Sequence, residues 1–161
     1  MIERVVHPYQ LQKALEHVIA NKGSAGVDGV SVREIRKIFT DKKTQLVEQI
    51  KTGSYQGQPI LGIEIPKGNG KTRLLGIPTT TERVLQQAVA QNLAPLFEPE
   101  FKPNSYGFRP NKNARQAVGQ AREYIHQGLN HIVDTDLKNF FDEVDHCLLL
   151  NLVYQKVKCK T

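Results

Sequence analysis

The stretch V-D-T-D-L-K-N-F-F-D-E-V-D-H, residues 133–146, combines an apolar approach, two adjacent phenylalanines and a dense group of acids. Between Asp134 and Asp145, five acids stand against one lysine in a chain whose net charge is +6. Carboxylates this close repel one another, so a bound cation would stabilise them. The pattern over 130–137 predicts a strand whose acids lie at its end, next to a sharp turn. Such a position is typical of a binding site for a divalent metal.

The composition bounds the class of protein. The 161 residues suit one domain or two small lobes, and 39% hydrophobic with 24% charged residues is typical of a soluble globular chain. Twenty-two basic against sixteen acidic residues favour a polyanionic partner, nucleic acid first. Cys147 and Cys159 match no zinc spacing, which indicates reduced thiols. Because no apolar run reaches the length of a membrane span or signal peptide, we expect a cytoplasmic protein without a membrane partner.

Hydrophobic spacing predicts helices over 8–20, 32–39 and 42–51, the second opened by a Ser31–Glu34 capping box and the third by Asp41. Two short strands, 60–66 and 72–77, flank the turn Lys67-Gly68-Asn69-Gly70, which predicts a β-hairpin with a basic tip.

Further along, a Thr79–Glu82 capping box opens a long helix that ends before Pro99. Asn113 caps a helix to about His126, for which we expect the apolar positions Ala114, Ala117, Val118, Ala121 and Ile125 to face inward. A final helix starts near Asp145.

The hairpin places several cations, Lys67, Lys71 and Arg73, with Arg83 beyond, near one surface. Lysine supplies a point charge and arginine a fork of donors, so this surface suits a triphosphate; a solvated turn is the alternative. Gly70-Lys71-Thr72 is not the end of a P-loop, because Ile65 stands where the first glycine is needed and a strand follows.

A second basic segment surrounds Y-G-F-R-P, residues 106–110. Aromatics interleaved with cations suit stacking on bases and pairing with phosphates. The alternative is that Tyr106 and Phe108 belong to a core while the cations face water. The cations are Lys102, Arg109, Lys112, Arg115 and Arg122, with Glu123 as the one acid beside them.

Four blocks follow one another along the chain: G-S-A-G-V-D-G-V (23–30), I-P-K-G-N-G-K-T-R-L-L-G-I-P (65–78), Y-G-F-R-P-N-K-N-A-R-Q-A (106–117) and the opening stretch (133–146). As a set they resemble the N-terminal part of a bacterial group II intron reverse transcriptase of the maturase type. The resemblance extends from about residue 9 to 157, and four blocks in order are far more specific than any one alone.

The resemblance implies a role for the hairpin and for the acidic stretch. Lys67 and Arg73, the K-x5-R pair of the fingers, would contact the triphosphate of the incoming dNTP. Asp136 would be the first catalytic carboxylate of the palm and a Mg²⁺ ligand, with the Leu137 carbonyl beside it. Phe141 would pack under the sugar of the nucleotide.

The resemblance also implies nucleic-acid contacts. Tyr106, Arg109, Lys112 and Arg115 would line the template and primer side, and the G-V-D-G segment would touch template RNA. The partners implied are therefore intron or template RNA, a DNA primer and a dNTP, with Mg²⁺ as the metal of the complete enzyme.

The predicted fold class is α+β: an N-terminal helical extension (1–52), a fingers subdomain with the basic β-hairpin (53–128) and the beginning of a polymerase palm (129–161). The sequence contains no Asp-Asp pair, so the family's second acidic motif is absent from these residues. We expect a truncated palm, an incomplete metal site and no polymerisation by this chain alone. An unpaired palm edge predicts self-association.

The leading functional prediction is the template-, primer- and dNTP-binding N-terminal part of an RNA-directed DNA polymerase, a nucleotidyltransferase. The alternative is a non-catalytic, maturase-like RNA-binding module that uses the same basic surfaces. A metal-dependent nuclease lacks support, because the sequence offers neither a second carboxylate motif nor a catalytic histidine.

Overall fold

The computed structural model describes residues 1–159, apart from the side chain of Asn69; Lys160 and Thr161, the end of the predicted palm segment, lie outside the described residues. The chain packs into two compact units. The N-terminal unit comprises Met1–Leu93 and the described residues after Val157, and the C-terminal unit comprises Ala94–Val157. These units reflect packing, so the predicted functional division at residues 52 and 128 stays a prediction.

The N-terminal unit is built around a helical core. Its helices are α1 (Ile2–Val5), α2 (Pro8–Ala20), α3 (Ile35–Thr52) and α4 (Thr80–Phe97), the last of which continues into the C-terminal unit. Each longer helix buries one stripe of residues about one or two turns apart, as amphipathic helices do. The core consists of Val5, Leu11, Ala14, Leu15, Val18, Ile35, Phe39, Leu46, Val84, Leu85 and Ala88.

The predicted helix over 8–20 is confirmed, but the two predicted helices over 32–39 and 42–51 are one continuous helix, α3. Asp41 lies inside it, because no glycine or proline interrupts residues 35–52 and Phe39 and Leu46 are buried on one stripe. The Ser31–Glu34 contact forms nonetheless: Ser31 donates its hydroxyl (2.6 Å) and its N–H (3.1 Å) to the Glu34 carboxylate, one turn before α3.

The predicted β-hairpin is confirmed, with β1 (Leu61–Pro66) antiparallel to β2 (Thr72–Ile77). The capping box before α4 forms only in part. The Thr79 hydroxyl accepts the Glu82 N–H at 3.3 Å, but the Glu82 carboxylate binds the Tyr55 hydroxyl and the Gln58 N–H instead. Glu82 thereby ties the segment that leads into β1 to the first turn of α4.

The C-terminal unit contains the rest of α4, the short 3₁₀ turn Glu98–Glu100, and the helices α5 (Ala114–His126) and α6 (His146–Val157). The predicted Asn113 cap is confirmed, with Gln116 completing a reciprocal capping box. The Asp145 carboxylate accepts the Leu148 N–H at 2.9 Å at the start of α6. Lys156 near the end of α6 pairs with Glu100 and lies 5.0 Å from the centre of the Phe97 ring.

Two predictions for the C-terminal unit are wrong. Residues 130–137 form no strand, because a strand needs a partner and, among the described residues, β1 and β2 pair only with each other. The apolar side of α5 does not pack inward: Val118 is 60% exposed and Ile125 48%. No described residue from 94 to 157 is buried, so nothing in this unit covers these side chains.

The chain is thus mixed, with helices and one small antiparallel sheet, which agrees with the α+β class. Its assignment to fingers and palm subdomains stays a prediction. No helix within residues 1–159 is both long enough and apolar enough to cross a membrane.

Candidate functional site

The hairpin brings its three cations to one face. Its register pairs Ile65 with Arg73 and Pro66 with Thr72, and the Lys67 N–H donates to the Lys71 carbonyl at 2.6 Å. Directly opposed residues share a face, and so do residues two apart on one strand. Lys67, Lys71 and Arg73 therefore lie on the same face, next to the tip.

The turn supports this arrangement. Gly68–Gly70 forms a 3₁₀ turn, and Gly70 adopts φ +70°, a left-handed conformation that favours glycine. A three-residue loop with glycine in the left-handed region is a common way to close a hairpin. The glycine-rich turn thus keeps the two strands in register up to the basic tip.

The hairpin cations are free to bind an anion. Lys67, Lys71 and Arg73 are all exposed, and no carboxylate among the described residues pairs with them. The one acid on the strands, Glu64, lies opposite Leu74 on the other face. Its position leaves the basic face uncompensated.

Arg83 is not part of this cationic face. Its Nη2 donates to the Ser24 carbonyl and, at 3.0 Å, to the Thr80 hydroxyl. A Cβ on Gly23 would stand 2.2 Å from Arg83 Nη1, so the loop lies directly against the guanidinium. Arg83 therefore fastens the glycine-rich loop to the first turn of α4.

The G-S-A-G-V-D-G-V loop packs closely on the start of α4. A Cβ on Gly26 would stand 2.6 Å from Thr79 Cα, so only glycine fits there. The Thr80 hydroxyl donates to the Val30 carbonyl at 2.6 Å, and the Asp28 carboxylate accepts the Val30 N–H at 3.2 Å. Val27 takes no part in these two hydrogen bonds, and its side chain is 52% exposed.

Arg109 organises the segment from 98 to 112. Its Nε and Nη2 donate to Glu98 Oε1 at 3.0 and 2.7 Å, and its Nη1 donates to the carbonyls of Lys102 (2.7 Å) and Ser105 (2.9 Å). The guanidinium also lies 5.2 Å from the centre of the Phe101 ring. Only 10% of the Arg109 side chain is exposed, so in this conformation it holds the segment's shape.

Lys112 and Tyr106 meet beside this network. Lys112 Nζ donates to the Pro103 carbonyl at 3.0 Å and lies 4.8 Å from the centre of the Tyr106 ring. Arg115, in the first turn of α5, is exposed and has no partner among the described residues. The structure thus brings together Tyr106, Arg109 and Lys112, with Arg115 a few residues further on.

Asp136 lies in an irregular, exposed segment rather than on a strand. Leu137 is 68% exposed, and the following turn closes where the Asn139 carbonyl accepts the N–H groups of Asp142 and Glu143, each at 3.0 Å. Phe141, 88% exposed, touches Phe140 edge-to-face with ring centres 5.6 Å apart.

The residues present do not by themselves fit a metal centre. Within residues 1–159, no three histidine, cysteine or acidic side chains come close enough together to hold an ion. Asp136 would supply one carboxylate, whereas a two-metal centre needs several oxygen ligands converging on it. A metal-dependent step would therefore require oxygen ligands in addition to Asp136.

The predicted site residues fall on both units: Lys67 and Arg73 in the N-terminal unit, and Tyr106–Arg115 and Asp136–Phe141 in the C-terminal unit. Sequence reasoning missed the anchoring of Arg83 and Arg109, because both depend on contacts between the guanidinium and backbone carbonyl groups. The carbonyl of Ser24 is distant from Arg83 in sequence, and those of Lys102 and Ser105 belong to an irregular segment before Arg109. A local signal existed only for Arg109, which stands between Gly107 and Pro110; Arg83 lies within α4, away from such a turn in sequence.

Known proteins resemble this chain over most of its length. The reverse transcriptase (RNA-dependent DNA polymerase) family matches residues 65–161. The group II intron-encoded protein LtrA of Lactococcus lactis subsp. cremoris is 34% identical over 153 residues, which is 90% of this chain and 24% of LtrA. Protein YkfC of Escherichia coli is 29% identical over 98% of this chain and 43% of its own length.

A plant relative is similar over a shorter stretch. The nuclear intron maturase 1, mitochondrial, of Arabidopsis thaliana is 28% identical over 81 residues, or 50% of this chain. The chain spans less than half the length of each of these three curated relatives. By its match over more than half its length, the chain belongs to the reverse transcriptase (RNA-dependent DNA polymerase) family, and within that family it is similar to proteins encoded by group II introns.

Proposed function

We propose that this chain is the template- and nucleotide-binding part of an RNA-directed DNA polymerase of group II intron type. The observation that carries the proposal is the uncompensated face of the hairpin, where Lys67, Lys71 and Arg73 lie together next to the tip. Polyphosphate chemistry requires cations that hold the triphosphate and offset the charge that develops on the leaving pyrophosphate. Lys67 and Arg73 suit that role.

The second surface of the proposal binds nucleic acid. Lys112 and Arg115 would pair with phosphates, Tyr106 would contribute an aromatic surface, and Arg109 would hold the segment in the shape that presents them. The G-V-D-G segment would touch template RNA on the N-terminal unit. The ligands proposed are template or intron RNA, a DNA primer and a dNTP.

The acidic stretch has a limited role in the proposal. Asp136 would supply one carboxylate to the Mg²⁺ centre of a complete polymerase, beside the Leu137 carbonyl, and Phe141 would pack under the nucleotide sugar. Because the 161 residues contain no second acidic motif, we expect no primer extension by this chain alone. Template-dependent extension by the purified protein with Mg²⁺ would overturn that expectation.

The test of the triphosphate site is an NMR titration with a dNTP at low salt. Lys67→Gln and Arg73→Gln should each weaken binding, because each removes a charge-assisted contact with phosphate oxygens. The matched control is Lys37→Gln, which removes an exposed lysine from α3. Equal affinities for the parent chain and both hairpin variants would contradict the proposal.

The maturase-like alternative uses the same basic surfaces to bind intron RNA without catalysis, and the similarity to a protein named as an intron maturase favours it. The two candidates differ at the hairpin. A polymerase needs a triphosphate site there, whereas an RNA-binding module needs only RNA affinity. Saturable dNTP binding that depends on Lys67 and Arg73 supports the polymerase reading.

A further inference from the structure

The segment from 101 to 112 carries three aromatic side chains, which differ in what covers their rings. Arg109 lies against Phe101 at 5.2 Å and Lys112 lies against Tyr106 at 4.8 Å. Phe108 has no such neighbour among the described residues, and its relative exposure is 113%. Of the three rings, only that of Phe108 presents both faces to an external ligand.

The backbone at Phe108 is unusual as well. Its φ is +54°, in the left-handed region that side chains larger than that of asparagine rarely adopt. Such a conformation persists only where the surroundings impose it, and such outliers cluster at ligand-binding sites. Here Arg109, next in sequence, imposes it through bonds to Glu98, Lys102 and Ser105.

Packing within the described residues gives no reason for a phenylalanine at this position. A buried ring would stabilise the unit, whereas this ring is fully in water, and glycine would adopt the same φ without strain. A ligand that covers the ring would account for its strained, outward position.

The charges around Phe108 indicate the class of that ligand. Residues 101–123 contain five cations and one acid, Glu123. The two acids just before this segment are already paired, Glu98 with Arg109 and Glu100 with Lys156. Arg109 is thus neutralised, whereas Lys102, Lys112, Arg115 and Arg122 have no carboxylate partner among the described residues. An exposed aromatic within such a basic surface suits a polyanion that also offers flat apolar rings, which is a single-stranded nucleic acid.

We infer that Phe108 is the stacking residue of this surface and takes an unpaired nucleobase of single-stranded RNA or DNA against its ring. Tyr106 is then a support whose face is occupied by Lys112. The inference rests on the proposed nucleic-acid binding of the 101–115 segment and deepens it by naming the residue that contacts the base.

Two variants separate the ring from the fold. Phe108→Gly removes the side chain and suits φ +54°, so thermal stability should hold or rise. Phe108→Trp keeps a stacking surface. By fluorescence anisotropy on a 20-nucleotide single strand, Phe108→Gly should bind about 5- to 100-fold more weakly, and Phe108→Trp within about threefold of the parent chain.

An abasic strand of equal length and charge serves as a comparison ligand. Any difference in affinity between it and the base-containing strand reflects contacts with the bases, because the phosphate charges are the same. The parent chain should prefer the base-containing strand, and Phe108→Gly should lose that preference. The salt dependence of binding should not change in Phe108→Gly, since no cation is removed, whereas Arg115→Gln should reduce its slope by about one. Tyr9→Ala, which removes a 67% exposed aromatic from the other unit, should bind like the parent chain.

The same sequence is tested as RNA and as DNA. If Phe108→Gly binds either strand more weakly than the parent chain does, the result supports stacking. Salt-dependent binding of the parent chain that Phe108→Gly leaves unchanged would overturn the inference while the proposed function stands. Absence of salt-dependent binding by the parent chain would overturn the proposed nucleic-acid surface and the stacking role with it.

Discussion

Tyr55 illustrates how a single side chain fixes the approach to the hairpin. Its hydroxyl donates to the Glu82 carboxylate, which also accepts the Gln58 N–H at 2.9 Å. Burial raises the pKa of the Tyr55 phenol, and the hydrogen bond to Glu82 and its negative charge raise that pKa further. The neutral phenol is therefore the form that stabilises the fold.

Tyr55→Phe should lower the free energy of unfolding by about 1–2 kcal/mol at neutral pH, since it removes a hydrogen bond to a partly exposed charged group. The folded-state pKa lies above the unfolded one, so this contribution is complete below pH about 10 and declines as pH rises beyond it. Urea unfolding of the parent chain and the variant from pH 7 to 11 measures the difference. A difference that stays constant up to pH 11 would contradict the proposed linkage.

Arg109 is a second residue on which local order depends. Arg109→Met leaves Glu98 and two carbonyl groups without their donor, which should destabilise the segment by about 1–3 kcal/mol. Amide exchange at Ser105, whose N–H donates to the Lys102 carbonyl at 3.0 Å, should accelerate about 5- to 150-fold.

Arg115→Met is the matched control for Arg109→Met, because Arg115 is exposed and has no partner among the described residues. It should leave the exchange rate of Ser105 unchanged. Equal exchange rates in the parent chain and Arg109→Met would show that the network does not order the segment.

At the scale of elements, the hairpin turn offers a matched pair of glycines. A Cβ at Gly68 or at Gly70 would meet nothing within 4 Å, but only Gly70 has a positive φ, +70°. Gly70→Ala should cost the hairpin about 1 kcal/mol and Gly68→Ala much less. Amide exchange along β2 measures both, and equal effects would rule out the left-handed turn.

Some helices and strands could be predicted from the sequence and others could not. Helix α2 and the hairpin were predictable because periodicity and turn residues are local signals, as was the Asn113 cap of α5. The strand over 130–137 was not, because strand formation depends on a partner that the described residues do not offer. The continuity of α3 through Asp41 depends on burial of Phe39 and Leu46, which tertiary packing decides.

The arrangement of some site residues could likewise be predicted from local sequence, whereas that of others depends on tertiary contacts. The position of Lys67 and Arg73 on one face follows from strand alternation once the turn is located, so sequence suffices. The anchoring of Arg109 and the exposed ring of Phe108 are set by contacts between side chains and carbonyl groups, for which no sequence pattern exists.

At the scale of the whole molecule, the C-terminal unit exposes many apolar side chains, among them Leu148 (58%) and Leu152 (53%), four residues apart on α6. Exposed apolar surface of this kind favours association, and we propose that the chain self-associates through this unit. Sedimentation velocity should show mass above the 18.1 kDa monomer as concentration rises.

Leu148→Lys with Leu152→Lys should shift this equilibrium towards monomer. Val89→Lys, on a 42% exposed apolar position of α4 in the other unit, should leave it unchanged. A parent chain that sediments at 18.1 kDa at every concentration would exclude self-association.

The most direct test of the central claim, that the hairpin binds a triphosphate while the 101–115 segment binds nucleic acid, is a crossed titration. Parent chain, Lys67→Gln/Arg73→Gln and Arg115→Gln are each titrated with a dNTP and with single-stranded RNA at one salt concentration. The hairpin variant should lose most of the dNTP affinity and little RNA affinity. Arg115→Gln should weaken RNA binding and leave dNTP affinity unchanged. Equal losses of both ligands in both variants would contradict two separate surfaces.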